Sequence, residues 1–211
     1  MSYVKEPMSI EQKSFEIIDQ EMDQELKSRL TMEELAVVKR VIHTSGDFEY
    51  QQLIGFQHNP IEEGIKALSE GTKIYADTNM ICAGVNKRTL QRLGCEVYTH
   101  VSDEEVAKEA KEKGETRSMI GMKKALEDPQ TSIFIIGNAP TALFTLLENR
   151  KTDNRPKLVI GVPVGFVGAE ESKKELEKTD LPSVVIRGRK GGSTIGVAIF
   201  NAMMYLVDND R

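Results

Sequence analysis

Three runs of the chain, Ile133-Phe134-Ile135-Ile136, Leu158-Val159-Ile160 and Val184-Val185-Ile186, are apolar at every position. A strand with one face in water alternates polar and apolar residues, so unbroken runs belong to strands covered on both faces. Stretches of helical periodicity separate the runs, and strands alternating with helices build a parallel sheet. The expected fold is α/β: an open, mostly parallel sheet with helices on both faces and a helical N-terminal part over residues 9–45. The 211 residues show no repeat, low-complexity tract or linker, and one domain spanning 1–211 accommodates them.

The N-terminal part opens on Ser9-Ile10-Glu11-Gln12, a capping box, and Phe15, Ile18, Met22 and Leu26 extend a helix over 9–28. A second capping box, Thr31-Met32-Glu33-Glu34, precedes a helix whose apolar face is Leu35, Val38 and Ile42. Residues 50–56 read as a short strand or an ordered loop, and Pro60 starts a helix over 60–69. The first clear strand is 73–76. After it come a helix near 84–92, a strand near 95–99, helices across 103–127, a strand at 132–136 and a helix at 140–149. A strand at 157–162, a helix at 170–178, a strand at 183–187 and a helix at 194–207 complete the pattern.

Charge and composition exclude several classes. A net charge of −5 argues against general nucleic-acid affinity, so an anionic ligand must meet a local basic patch. No apolar run follows a basic start and none approaches a membrane span, which leaves the cytoplasm as the expected location and no membrane partner. Cys82 and Cys95 lie too far apart for a CxxC site and read as buried thiols. With His43, His58 and His100 scattered, no metal-ligand signature is present.

The residues that carry chemistry gather at helix and strand ends. Arg40, His43 and Asp47 share a helix face if the helix runs that far, and Gly46 is a stop signal that puts His43 in the last turn. A histidine there either caps carbonyls or exchanges a proton with a ligand in the physiological range. Ser14, beside the first apolar stripe, reads by pattern alone as an exposed helix serine.

Ligands of parallel sheets bind at the carboxyl ends of strands, and three such ends stand out. At 137–143, Asn138 caps a helix that Pro140 starts, or the backbone N–H groups there hold a carboxylate. The long, apolar stretch 161–169, with three glycines and Pro163, fits the face of a large flat ligand. The turn Arg187-Gly188-Arg189-Lys190-Gly191-Gly192-Ser193 places three cations before a helix. Arg187 and Arg189 are suited to grip carboxylates, and Ser193 to cap the helix or join them. Neither a Walker A loop nor a GxGxxG fingerprint is present, and no acidic GxGxG stretch marks a methyl-donor site.

Taken together, Ser14-Phe15-Glu16-Ile17-Ile18, the His43 segment, Thr116-Arg117-Ser118, the 137–143 and 161–169 stretches and the 187–193 turn resemble the precorrin-8X methylmutase family, also called precorrin isomerase. The likeness spans nearly the whole chain. It implies an isomerase of cobalamin biosynthesis that moves a methyl group from C11 to C12 of precorrin-8X or cobalt-precorrin-8 without an added cofactor. The same resemblance makes His43 the proton donor and acceptor, makes Ser14 and Arg40 substrate contacts, and implies a homo-oligomer, in all expectation a homodimer. The macrocycle is a flat apolar disc fringed by carboxylates. Residues 161–169 suit its face, and Arg117, Asn138, Arg187, Arg189 and Ser193 suit its rim. A non-catalytic tetrapyrrole carrier is the competing expectation. It explains the basic rim but gives His43 no task.

Overall fold

The computed structural model describes residues 7–149 and 155–208. Among these residues six strands form one sheet: β1 (Ile54–Gln57), β2 (Lys73–Ala76), β3 (Glu96–Tyr98), β4 (Thr131–Ile136), β5 (Leu158–Gly161) and β6 (Ser183–Ile186). Their order is β1-β6-β5-β4-β2-β3. All neighbours run parallel except β1, which pairs antiparallel with β6 from Ile54↔Ile186 to Gln57↔Ser183. The chain builds outward in one direction from β2 to β3 and in the other from β4 through β6, so the order reverses between β2 and β4.

The unbroken apolar runs are explained by two cores. Ile133, Ile135, Leu158, Ile160, Val184 and Ile186 face one core, and Phe134, Ile136, Val159 and Val185 face the other. Each of these side chains is at most 1% exposed, and burying one contributes roughly 1.5–3 kcal/mol. The first core is covered by α3 (Met32–Ser45), α5 (Pro60–Ser69), α6 (Asn79–Gly84) and α12 (Ser193–Val207), with α1 (Pro7–Glu21) lying on α3. The second is covered by α9 (Arg117–Glu127), α10 (Pro140–Asn149) and α11 (Ala169–Glu177). Ile199, Phe200, Met203 and Met204 of α12 are fully buried because the helix lies against the sheet on one side and α3 on the other.

Differences from the expected pattern sit at breaks in the helices. The helix over 9–28 is two, α1 and α2 (Gln24–Arg29), because the Asp23 carboxylate accepts from the N–H groups of Glu25 and Leu26 and starts a new helix. The first helix begins at Pro7, so Ser9 is inside it, and its side chain lies outside the described residues. Residues 50–56 hold α4 (Tyr50–Leu53) and the first three of the four residues of β1. The helix near 84–92 is α6 followed by α7 (Lys87–Arg92), each capped by its own residue, Thr78 and Asn86. The helices across 103–127 are α8 (Glu104–Lys113) and α9. Helix α3 matches its expectation at both ends: Thr31 and Glu34 make both bonds of the capping box, and Gly46 closes it at φ 65°. Since α3 stops at Ser45, Asp47 lies beyond the face that carries Arg40 and His43.

Candidate active site

Two groups of residues come together, one around His43 and one around the β6 exit. In the first, the capping box and Gly46 fix the ends of α3, and packing of Val37, Val38, Val41 and Ile42 fixes its rotation, so His43 projects outward from the last turn. The first helix then crosses α3 and brings Ser14 Oγ to 3.0 Å from His43 Nδ1. The Phe15 ring stacks on the imidazole with centroids 5.0 Å apart and planes 27° apart. A hydroxyl on one nitrogen and an aromatic face on the ring together set the tilt of the imidazole.

Arg40 belongs to the same group but is already engaged. Its guanidinium pairs with Glu11 at 2.7 Å and lies 4.8 Å from the Phe15 ring centroid and 5.4 Å from that of Tyr205. It therefore braces Phe15, which in turn braces His43. From sequence Glu11 reads only as part of a capping box and Phe15 as part of an apolar stripe, and Tyr205 is not singled out. Phe15 and Glu11 look like ordinary helix positions until α1 is known to lie against the end of α3.

The second group is the 187–192 turn. Its backbone is fastened to the apolar loop 161–168: Gly192 N–H donates to Val162 O at 2.8 Å, and Gly165 N–H to Arg189 O at 3.1 Å. A Cβ on Gly191 would stand 2.2 Å from Val162 O, so this crossing admits only glycine. The three cations have different partners. Arg187 Nε pairs with Glu177 at 2.9 Å. Lys190 reaches Asp47 at 2.5 Å and Glu49 at 2.8 Å, which raises the lysine and holds the Asp47 carboxyl below its ordinary range. Arg189 is exposed over Phe166, 5.4 Å from the ring centroid, and is in no ion pair among the described residues. Phe166 and Val167 are 83% and 89% exposed, an apolar surface beside a cation. The Lys190–Asp47 pair ties the end of the His43 helix to this turn.

The remaining expected residues are placed more loosely. Gly192, rather than Ser193, precedes α12, and Ser193 Oγ instead bonds Thr78 Oγ1 at 2.9 Å. Arg117 opens α9 and is exposed, with its neighbour Thr116 3.3 Å from Thr141 at the start of α10. Asn138 is exposed, but it is not the residue before the helix, since α10 starts at Pro140 after Ala139. The backbone N–H groups proposed for a carboxylate are occupied by the protein itself. Buried Asp77, directly after β2, accepts from Gly137, Asn138 and Ala139 N–H at 2.9, 2.8 and 2.7 Å. Burial pushes this carboxyl up and the three donors pull it back. By residue type alone, an aspartate directly after a strand is an ordinary turn former. Its place at a strand's carboxyl end was the signal that it does more.

Residues 9–206 match the model of the family described as precorrin-8X methylmutase. The cobalt-precorrin-8 methylmutase of Priestia megaterium is 44% identical, over 97% of this chain and 90% of the relative. That of Salmonella typhimurium is 42% identical, over 97% and 98%. The solved structure of the precorrin-8X methylmutase from Thermus thermophilus superposes with a TM-score of 0.84 at 36% identity, covering 94% of this chain and 97% of that one.

Proposed function

The chain belongs to the precorrin-8X methylmutase family, and from that premise we propose how its residues serve the reaction. It is an isomerase of cobalamin biosynthesis that moves a methyl group from C11 to C12 within one macrocycle. The product is hydrogenobyrinate from precorrin-8X or cobyrinate from cobalt-precorrin-8. The cobalt form comes first, since a relative named for it is 44% identical and one named for the metal-free form 36%.

His43 is the proton donor and acceptor. The observation that carries this role is the 3.0 Å contact between Ser14 Oγ and His43 Nδ1, which leaves Nε2 to meet the substrate. The atoms balance: a proton lent to the conjugated system as the methyl migrates returns to the imidazole afterwards. With cobalt on the ring nitrogens, that proton goes to a ring carbon or a peripheral group. Orientation supplies much of the rest of the rate, with Arg189 as the principal rim contact, Arg117, Asn138, Arg187 and Ser193 around it, and 161–168 against the face.

The working form is a cytoplasmic homodimer. Ile10 and Ile17, 48% and 44% exposed, flank Ser14 along α1 as apolar surface that a second copy would cover. Mixing the purified protein with cobalt-precorrin-8 or precorrin-8X and following the visible spectrum tests the reaction. Conversion of at least one is expected, and conversion of neither contradicts the assignment. Light scattering that finds a fully active monomer contradicts the dimer.

A further inference from the structure

Lys173 lies on the buried face of α11 and is 1% exposed. Lysine is almost never buried without a counter-ion, because an ammonium gives up its hydration on leaving water. Its Nζ donates to the Lys190 carbonyl at 2.8 Å, from beneath the 187–192 turn. Glu170 attracts this charge, but no carboxylate among the described residues is in an ion pair with it. On its own helix, Glu170 is taken by Lys174 at 2.6 Å and Glu177 by Arg187. The turn brings Arg187, Arg189 and Lys190, and the carboxylates that accompany it, Glu177 on Arg187 and Asp47 and Glu49 on Lys190, are already paired. Loop 161–168 and strand β6 contain no ionisable side chain, and α10 offers only Glu148, exposed near its last turn. A buried positive charge thus sits under a turn whose exposed Arg189 is in no ion pair among the described residues.

We infer that Lys173 is a positioning residue for the substrate's carboxylates: it supports the 187–190 turn through the Lys190 carbonyl, and its charge is completed by the bound anion, so that binding and protonation of this amine are linked. The inference rests on the function proposed above. Burial lowers the lysine to about 8, so the linkage falls in an accessible range. Below that value the ammonium is present and favours the anion. Above it the neutral amine still donates to the Lys190 carbonyl, which keeps the turn's shape but loses the charge.

The test is titration calorimetry with cobyrinate from pH 7 to 9.5, in buffers of different ionisation enthalpy, with turnover of cobalt-precorrin-8 followed in parallel. The unsubstituted protein should take up a fraction of a proton on binding near pH 8, and its affinity should fall about fivefold or more across the range. K173M should bind more weakly at pH 7, without the uptake or the decline. A purely structural lysine predicts a flat profile in the unsubstituted protein. If K173M does not fold, the Lys173 Cε resonance of the unsubstituted protein gives the same answer. Its titration midpoint must rise when cobyrinate is bound, and an unmoved midpoint overturns the proposal. Equal pH profiles in the two proteins overturn it while turnover keeps the assigned reaction intact. Absence of both binding and turnover removes the reaction and this proposal together.

Discussion

After β4 the chain reads Gly137-Asn138-Ala139-Pro140, and after β6 it reads Arg187-Gly188-Arg189-Lys190-Gly191-Gly192. Both are glycine-bearing turns that lead a buried parallel strand into a helix, and both looked able to hold an anion. In the first, Asp77 occupies the N–H groups from inside the protein. In the second the backbone is equally constrained, but what it presents outward is Arg189 over Phe166. Helix starts attract anions, yet the chain can supply its own, and then the site serves the fold rather than a ligand. The two exits also lean on each other, since a Cβ on Gly137 would come within 2.7 Å of Ser193 Cα.

The largest effect comes from removing the internal anion. Asp77→Ala leaves buried N–H donors without an acceptor and should cost about 3–5 kcal/mol of stability, read by urea denaturation. A loss below about 1 kcal/mol would mean that the β4 exit does not depend on its carboxylate. Gly191→Ala comes next. It forces a side chain into a left-handed backbone against Val162 O and should cost about 1–3 kcal/mol, with weaker substrate binding in the protein that still folds. Unchanged stability and affinity would show that the clasp between the two loops is dispensable. The rim arginines should separate by partner. Arg189→Ala should weaken cobyrinate binding about tenfold and reduce its salt dependence, with the fold intact. Arg187→Ala, whose guanidinium is already paired with Glu177, should have a smaller effect. The reverse order would move the ligand to the other side of the turn.

The sheet was legible because burial on both faces leaves a mark that neighbouring residues share: Ile133 to Ile136 are apolar whichever core each faces. The antiparallel edge strand was legible only as one of two alternatives, strand or ordered loop, since Ile54 to Gln57 is short and pairs through backbone groups that any sequence carries. His43, Arg187 and Arg189 could be found as polar or charged residues at element ends. Their partners could not. Glu11 and Phe15 meet Arg40 and His43 across 28 or 29 residues of chain, and Lys190 meets Asp47 across 143. Such contacts depend on how helices cross, which periodicity does not encode. Lys173 did leave a trace, as a lysine on the same face of α11 as Ala169 and Leu176, where a solvated charge has no place.

The proton transfer proposed for His43 can be separated from its contacts with Ser14 and Phe15. Asn keeps hydrogen-bonding capacity near the imidazole's place but delivers no proton near neutral pH, so His43→Asn separates chemistry from structure. Single-turnover spectra with cobalt-precorrin-8, alongside thermal melts and cobyrinate titrations, give the comparison. The expected variant is folded, binds cobyrinate nearly as before and loses turnover by roughly 10²–10⁴-fold, the usual scale for a general acid–base group. A folded His43→Asn protein that converts substrate within about threefold of the unsubstituted rate, far short of that scale, would contradict proton transfer by His43.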